Sequence, residues 1–258
     1  MRSAVVWSVG LAVLAACGSG QEAQKGTGRV PADGGRVEPG TGTGATAATA
    51  GDTSRPSGSD SQVPRTRRTV LIVGTSLTAG LGLDPEEAYP ALLQQKVDSV
   101  GLHYEIVNAG LSGETSAGAL RRIDWLMRGP ADVVIIETGA NDGLRGLNVD
   151  STRANLRAII AKVKAARPGA RILLAQMEAP PNLGTKYTDA FHAMYQDVAR
   201  ETGVSVMPFL LEGVAGVTRL NQGDGMHPNE EGEHIVADNV WRALEPILRQ
   251  LDAVSSTG

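Results

Sequence analysis

Ser76 stands just past four consecutive β-favouring apolar residues, Val70 to Val73, with Gly74 and Thr75 leading the chain away from them. A short continuous apolar run reads as a strand buried on both faces, as in a parallel sheet. In open sheets of that kind ligands bind beyond the carboxyl ends of the strands. A serine placed there can be a nucleophile if the chain also supplies a base, an acid to orient it and donors for a developing oxyanion. Asp224 and His227, three residues apart ahead of the last predicted helix, can be that acid and base. Gly113 and Asn141 each follow another predicted strand and can be donors. Gly113 has no Cβ to hold a substrate away from its N–H, and Asn141 can donate from a neutral amide. Gly225 lets the chain bend between Asp224 and His227, and Pro228 restricts His227 to extended backbone. Together these residues have the types that acyl transfer requires.

Each also has a plain structural reading. Ser76 can be a polar strand-to-helix turn, Asp224 a turn cap, and Asn141 with Asp142 an Asx-turn. For Asp142 the structural role is preferred, and Glu114 reads as a helix-start acid. His103, His192 and His234 read as structural or surface residues. Asp224-x-x-His227 has metal-pair spacing, but no further His or Cys cluster supports it. Neither a metal nor a cofactor is expected.

The elements that must position these groups follow from periodicity and punctuation. Strands are predicted at 70–73, 104–108, 133–137, 171–176 and 204–207, and helices at 116–128, 151–167 and 188–202. Asp84-Pro85-Glu86-Glu87 predicts another helix start, with Asp84 as N-cap, Pro85 at the first position and Glu87 at capping-box spacing. That helix is predicted to run through Leu92, Leu93 and Val97 to Gly101. Asn229 can cap a last helix reaching Leu251. Strands alternating with helices at this spacing imply βαβ units, hence a parallel sheet covered on both faces. The class is α/β, and five repeats in under two hundred residues fit a three-layer doubly wound domain better than an eight-stranded barrel.

The first quarter of the chain differs in kind. Arg2 precedes an apolar run from Ala4 to Ala16, too short to span a bilayer and of secretory-signal length. It closes with Leu14-Ala15-Ala16-Cys17, which resembles the lipobox of bacterial lipoproteins, implying cleavage before Cys17 and acylation of its thiol. Cys17 is the only cysteine, so no intrachain disulfide can form. Residues 17–66 are rich in Gly, Thr, Ala, Ser and Pro with hardly a large apolar side chain, and read as a flexible tether. Its glycines have no strand before them or helix after them, so they are not a nucleotide-binding loop. The domain is expected at 67–253, with 254–258 as a tail. The net charge of −4, without a basic stripe, argues against a nucleic-acid partner.

Taken in order, Gly74-Thr75-Ser76-Leu77, the Gly113 loop, Gly139-Ala140-Asn141-Asp142 and Asp224-Gly225-Met226-His227 resemble the four blocks of the SGNH (GDSL-type) hydrolase superfamily. The strings 108–116 and 139–146 are similar to its bacterial arylesterase, thioesterase I and lysophospholipase L1 branch. The resemblance implies an α/β/α sandwich with a five-stranded parallel sheet. It implies Ser76 as nucleophile, His227 as base and Asp224 as the orienting acid. The oxyanion donors it implies are the N–H groups of Ser76 and Gly113 and the amide of Asn141. The separate α/β-hydrolase pattern G-x-S-x-G is absent, since Thr78 holds its last position. Thr75 departs from the superfamily, standing where the aspartate of Gly-Asp-Ser-Leu belongs. That puts the hydrogen bonding of the nucleophile turn in question, with a hydroxyl replacing some acceptor function without charge.

The resulting expectation is a monomeric, lipid-anchored serine esterase of the cell envelope, acting on small-molecule or lipid carboxylic esters and on thioesters. Gly18 is not the aspartate of inner-membrane retention, so where there are two membranes the outer one is expected. Two alternatives stay open: an O-deacetylase of envelope polysaccharide, and a non-catalytic surface binding lipoprotein. The loop 178–186, with Glu178, Pro180, Asn182 and Leu183, is a candidate substrate wall or a plain connection. Replacing Cys17 by serine is expected to move the protein from the membrane to the soluble fraction. Fractionation of cells expressing both forms checks this, and an unchanged membrane share would remove the anchor.

Overall fold

Every strand among the described residues is paired in parallel, so the core is one sheet wrapped by helices on both faces. The computed structural model describes residues 67–255; Cys17, the signal segment and the tether expected before them lie outside the described residues. The order of elements is β1 (Arg68–Gly74), α1 (Ser76–Ala79), α2 (Tyr89–Ser99), β2 (Tyr104–Gly110), α3 (Ser116–Leu126) and β3 (Val133–Ile136). Then come α4 (Ala140–Leu144), α5 (Val149–Ala166), β4 (Arg171–Gln176), α6 (Thr185–Thr202), β5 (Ser205–Phe209) and α7 (Glu230–Ser255). The sheet runs β2-β1-β3-β4-β5. Helices α2 and α7 pack together on one face, and α3, α5 and α6 pack in sequence on the other. This is the three-layer α/β/α sandwich with a five-stranded parallel sheet that the sequence predicts.

The burial explains the strand pattern. Val70, Ile72 and Val73 of β1 and all four residues of β3 are fully buried, which is why they read as continuous apolar runs. The edge strand β2 is only partly covered. From β1 the chain steps outward to β2, then returns across to β3 and proceeds the other way through β4 and β5. The reversal falls between β1 and β3, and a crevice opens at such a switch point beyond the carboxyl ends of the strands. Ser76 leaves β1 and Asn141 follows β3, so the topology alone sets them on the two sides of that crevice.

Helix α2 departs from expectation. It begins at Tyr89, capped by Ala88, with Pro90 in its first turn. Asp84 to Glu87 instead close a single turn, in which the Glu87 N–H donates to Asp84 O at 3.0 Å and the Glu87 carboxylate accepts from the Asp84 N–H at 3.2 Å. The reason is Pro90: in a helix starting at Pro85 it would fall in the interior, where it lacks the N–H and its ring clashes with the preceding turn. Helix α6 begins at Thr185, before the predicted Thr188, and α7 extends past Leu251 to Ser255, taking in part of the expected tail. Asn229 does cap α7, its Oδ1 accepting from the Gly232 N–H at 3.1 Å.

Helices α2 and α7 are locked by one buried polar contact: the Tyr89 N–H donates to the Glu233 carboxylate at 2.8 Å. Burial raises Glu233 to about 8; the bond from Tyr89 opposes the shift and the nearby Glu137 adds to it. An unfolded glutamate releases its proton near its ordinary value of 4.5, whereas the folded protein keeps it until about 8. Stability from this group is therefore full below the unfolded value and is lost as pH rises through the folded one. Glu233→Gln, which carries no titrating proton, is expected to show a smaller fall in melting temperature between about pH 5 and about pH 8 than the natural chain. Parallel thermal melts check it, and identical slopes would remove the protonated Glu233.

Candidate active site

Ser76 opens the four-residue helix α1 immediately beyond β1, and its side chain is largely buried. The turn is tied to its neighbours on both sides. Gly74 O accepts from the Leu111 N–H at 2.9 Å, and Thr78 O accepts from the Asn108 side chain at 2.8 Å. The end of β2 presses against α1 so closely that a Cβ at Gly110 would stand 2.3 Å from the Ala79 amide nitrogen. The loop carrying Gly113 is thereby held at a fixed distance from the turn carrying Ser76.

His227 and Asp224 come from the loop before α7. His227 Nε2 lies 2.9 Å from Ser76 Oγ, and His227 Nδ1 lies 2.5 Å from Asp224 Oδ2. Asp224 Oδ1 also accepts the N–H groups of Met226 at 2.9 Å and His227 at 3.0 Å. An ionised carboxylate only accepts, so Nδ1 carries the hydrogen and Nε2 is left to accept from the serine hydroxyl. Partial burial works against the Asp224 charge, but the His227 backbone bond, the imidazole bond and the Met226 bond outweigh it and hold the carboxyl below its usual range. The three side chains thus form one hydrogen-bonded chain with the polarity needed to draw a proton from Ser76.

Gln222 holds this loop in register with the serine. Its amide donates to Leu81 O at 2.7 Å, just past α1, and to Pro228 O at 2.8 Å. A single glutamine in a loop carries no distinguishing signal, so nothing in the sequence marks Gln222.

Gly113 and Asn141 complete the set. Gly113 has φ of +75°, and a Cβ there would meet only Arg145 Nη2, at 4.0 Å. The glycine is therefore required for its left-handed backbone as well as for approach by a ligand. Arg145 donates to Gly113 O at 3.0 Å. Asn141 Nδ2 donates to Glu114 O at 3.0 Å, which orients the amide and leaves its second hydrogen to offer. Among the described residues, the N–H groups of Ser76 and Gly113 donate to no other group.

Asp142 is structural, but not as the Asx-turn expected: buried, it accepts from the Ser116 N–H at 2.8 Å, the Ser116 hydroxyl at 2.6 Å and the Thr152 hydroxyl at 3.2 Å. Glu114 is more than a helix-start acid. It is nearly buried and pairs with Arg122 through Nε at 2.8 Å and Nη2 at 2.7 Å, and Arg122 in turn reaches Gly74 O at 3.2 Å.

The candidate wall residues divide. Glu178 accepts from Gln176 and meets His192 Nδ1, both at 2.7 Å, and lines an open cleft with β5 and α6 that holds none of the residues above. The structure does not bring it to Ser76, because its carboxylate is engaged by α6. Pro180 leads into a short 3-10 turn, Pro181–Leu183; Asn182 is exposed, and Leu183 packs near Gly146 in the loop following Asn141. Around the crevice, Leu81, Leu111, Leu144, Leu147 and Met226 are exposed on the loops that carry Ser76, Gly113, Asn141 and His227.

A parallel α/β/α sandwich with a serine, histidine and aspartate joined at its switch point is the frame of an ester-hydrolysing enzyme. Comparison with known proteins agrees: residues 72–235 match the GDSL-like lipase/acylhydrolase family, and the chain belongs to it. It is 42% identical over 183 residues to esterase TesA of Pseudomonas aeruginosa, a match covering 70% of this chain and 90% of that protein. It is 39% identical over 181 residues to thioesterase 1/protease 1/lysophospholipase L1 of Escherichia coli, covering 70% and 85%. Among solved structures it resembles the psychrotrophic esterase EstA from Pseudoalteromonas, inhibited by monoethylphosphonate, with a TM-score of 0.67 and 38% identity over 70% of this chain and 99% of that one.

If Asn141 donates to an oxyanion, removing its amide costs transition-state stabilisation while substrate binding changes little. Asn141→Ala is expected to lower kcat by roughly 10²–10³-fold. Steady-state kinetics check it, and a rate within about twofold of the natural chain would take Asn141 out of the hole.

Proposed function

We propose that this chain is a serine esterase that hydrolyses carboxylic esters through an acyl-enzyme on Ser76, with thioesters and lysophospholipids within its range. The observation that carries the reading is the hydrogen-bonded chain Asp224–His227–Ser76 at the crevice between β1 and β3. His227 takes the hydroxyl proton as Ser76 Oγ attacks the acyl carbon, and Asp224 stabilises the imidazolium that forms. The carbonyl oxygen, now negative, is held by the N–H groups of Ser76 and Gly113 and the free amide hydrogen of Asn141. Collapse of the tetrahedral intermediate expels the alcohol or thiol, which His227 protonates. His227 then activates water for attack on the acyl-enzyme, and the acid leaves.

The leucines and Met226 around the crevice support a substrate with an apolar acyl group, since each would gain by covering exposed hydrocarbon. The names of the relatives, an esterase and a thioesterase/lysophospholipase, point the same way. We also propose that Cys17 carries a lipid anchor that keeps this domain at a membrane of the cell envelope.

Hydrolysis of p-nitrophenyl esters from acetate to palmitate by the full chain tests the reading. Turnover is expected, and Ser76→Ala is expected to lower it by roughly 10⁵–10⁶-fold. A folded Ser76→Ala variant that keeps substantial activity would end the assignment of the nucleophile. Activity confined to acetate would favour the deacetylase instead.

A further inference from the structure

A second carboxylate belongs to the nucleophile turn. Glu137 follows the last residue of β3, and its side chain crosses beneath the β1–α1 connection, where it is fully buried. Its Oε2 accepts the Thr75 N–H at 2.7 Å and the Thr78 hydroxyl at 2.8 Å, and the Thr75 hydroxyl donates to both of its oxygens at 3.0 and 3.1 Å. These donors bracket Ser76, one residue before it and two after. Thr78 Oγ1 also lies 2.6 Å from the Tyr89 hydroxyl, which must donate to it, since the Thr78 hydrogen is given to Glu137. The strand exit is shaped around this carboxylate: a Cβ at Gly74 would fall 1.8 Å from Thr78 Oγ1 and 2.8 Å from Glu137 Oε2. The role of Thr75 is thus the reverse of the one its hydroxyl suggested, since it donates into the turn rather than accepting.

A core does not need a carboxylate here. An apolar side chain would fill the space without the cost of removing a charge from water, and among the described residues no cation is bonded to Glu137 to repay that cost. Arg122 reaches the neighbouring Gly74 carbonyl, but its guanidinium is paired with Glu114. What the carboxylate supplies, and an apolar group could not, is several acceptor sites aimed at the backbone and hydroxyls on either side of the nucleophile.

We propose that Glu137 is a positioning residue for Ser76, its ionised carboxylate fixing the turn so that Oγ meets His227 and the Ser76 N–H faces the oxyanion. The inference rests on Ser76 being the nucleophile. It adds a requirement for catalysis outside the triad and the oxyanion donors. Protonation would turn one acceptor oxygen into a donor and set it against the Thr75 or Thr78 hydrogens, loosening the turn.

The surroundings give that protonation a pH. Burial lifts Glu137 to about 7, against the bonds from Thr75 and Thr78. The titratable groups facing it are Tyr89 from α2, Glu233 from α7 and Tyr195 from α6, with Arg122 of α3 at the adjacent carbonyl. Burial holds both tyrosines well above their ordinary range, so they stay neutral, and Glu233 stays largely protonated up to about 8. Glu137 is then the member of this group that ionises near neutrality, and activity should fall as pH drops through that region.

The test uses Glu137→Gln in the full chain. Glutamine keeps the shape but offers one acceptor oxygen and an NH₂ where two oxygens accept. The measurements are phosphonylation of Ser76 by a fluorophosphonate, followed by intact mass, and kcat and KM for p-nitrophenyl butyrate from about pH 5 to about pH 9. Both the phosphonylation rate and kcat are expected to fall by about 10–100-fold, with KM within about twofold. The acid limb of kcat/KM is expected to lose the ionisation at about 7 that Glu137 supplies. A folded variant that is phosphonylated at the natural rate and keeps the natural acid limb would overturn the proposal and leave Glu137 a purely structural residue. Should Glu137→Gln fail to fold, Thr75→Val and Thr78→Val decide: each removes one donor, and either must lower kcat with KM held, whereas natural rates in both would overturn it. A natural chain that the probe does not label at Ser76 would fail the serine assignment itself, and this inference with it.

Discussion

Strand β1 constrains everything else in this protein. Parallel pairing to β2 on one side and β3 on the other buries Val70 to Val73 on all sides and fixes the point at which the chain must leave the sheet. Because the connections on its two flanks run in opposite directions, the groups that follow β1, β2 and β3 are delivered to one crevice. A rigid sheet edge is a better platform for a reacting constellation than free loops, because sub-ångström displacements are costly to both catalysis and packing.

The loops at that edge are not left to themselves. Asn108 and Gly110 hold the Gly113 loop to α1 and Leu111 holds it to the end of β1, while Asn141 and Arg145 each reach across to a carbonyl of that loop. Gln222 joins the histidine loop to the segment following the serine. Apart from the Leu111 backbone bond and the close approach at Gly110, each of these contacts is a side-chain hydrogen bond to a backbone carbonyl that fixes the relative position of two loops. Preorganised donors of this sort need no rearrangement when charge develops, which is where most of their catalytic worth resides.

Polar burial behind the serine forms a second layer of the same design. Glu137, Thr75, Thr78, Tyr89 and Glu233 form a run from the nucleophile turn to the helix that follows His227. Such a run stabilises less than well-packed hydrocarbon would, but it restricts the number of ways the turn and the helix can sit. The family membership of the chain fits an ester-hydrolysing enzyme, and its crevice is rimmed by exposed leucines and Met226.

The sequence by itself determined the α/β class, the parallel sheet, and the identities of Ser76, Asp224, His227, Gly113 and Asn141 as a set that could converge. These were legible because each rests on a local signal: apolar runs of strand length, glycine and proline punctuation, and chemical types placed just past strand ends. Pro90 carried a local signal too, and it outranked the better capping pattern at Asp84, moving the start of α2 to Tyr89. What only the tertiary structure decided was which side chains face one another across distant segments. Glu178 sits just past a strand end as Asn141 does, yet α6 draws its carboxylate away from the crevice. Glu137 looks like the polar end of a strand, yet it lies under a serine sixty-one residues earlier in the chain. Pairings of that kind depend on strand order and on the free energy of burial, and neither quantity is written in any short stretch of residues.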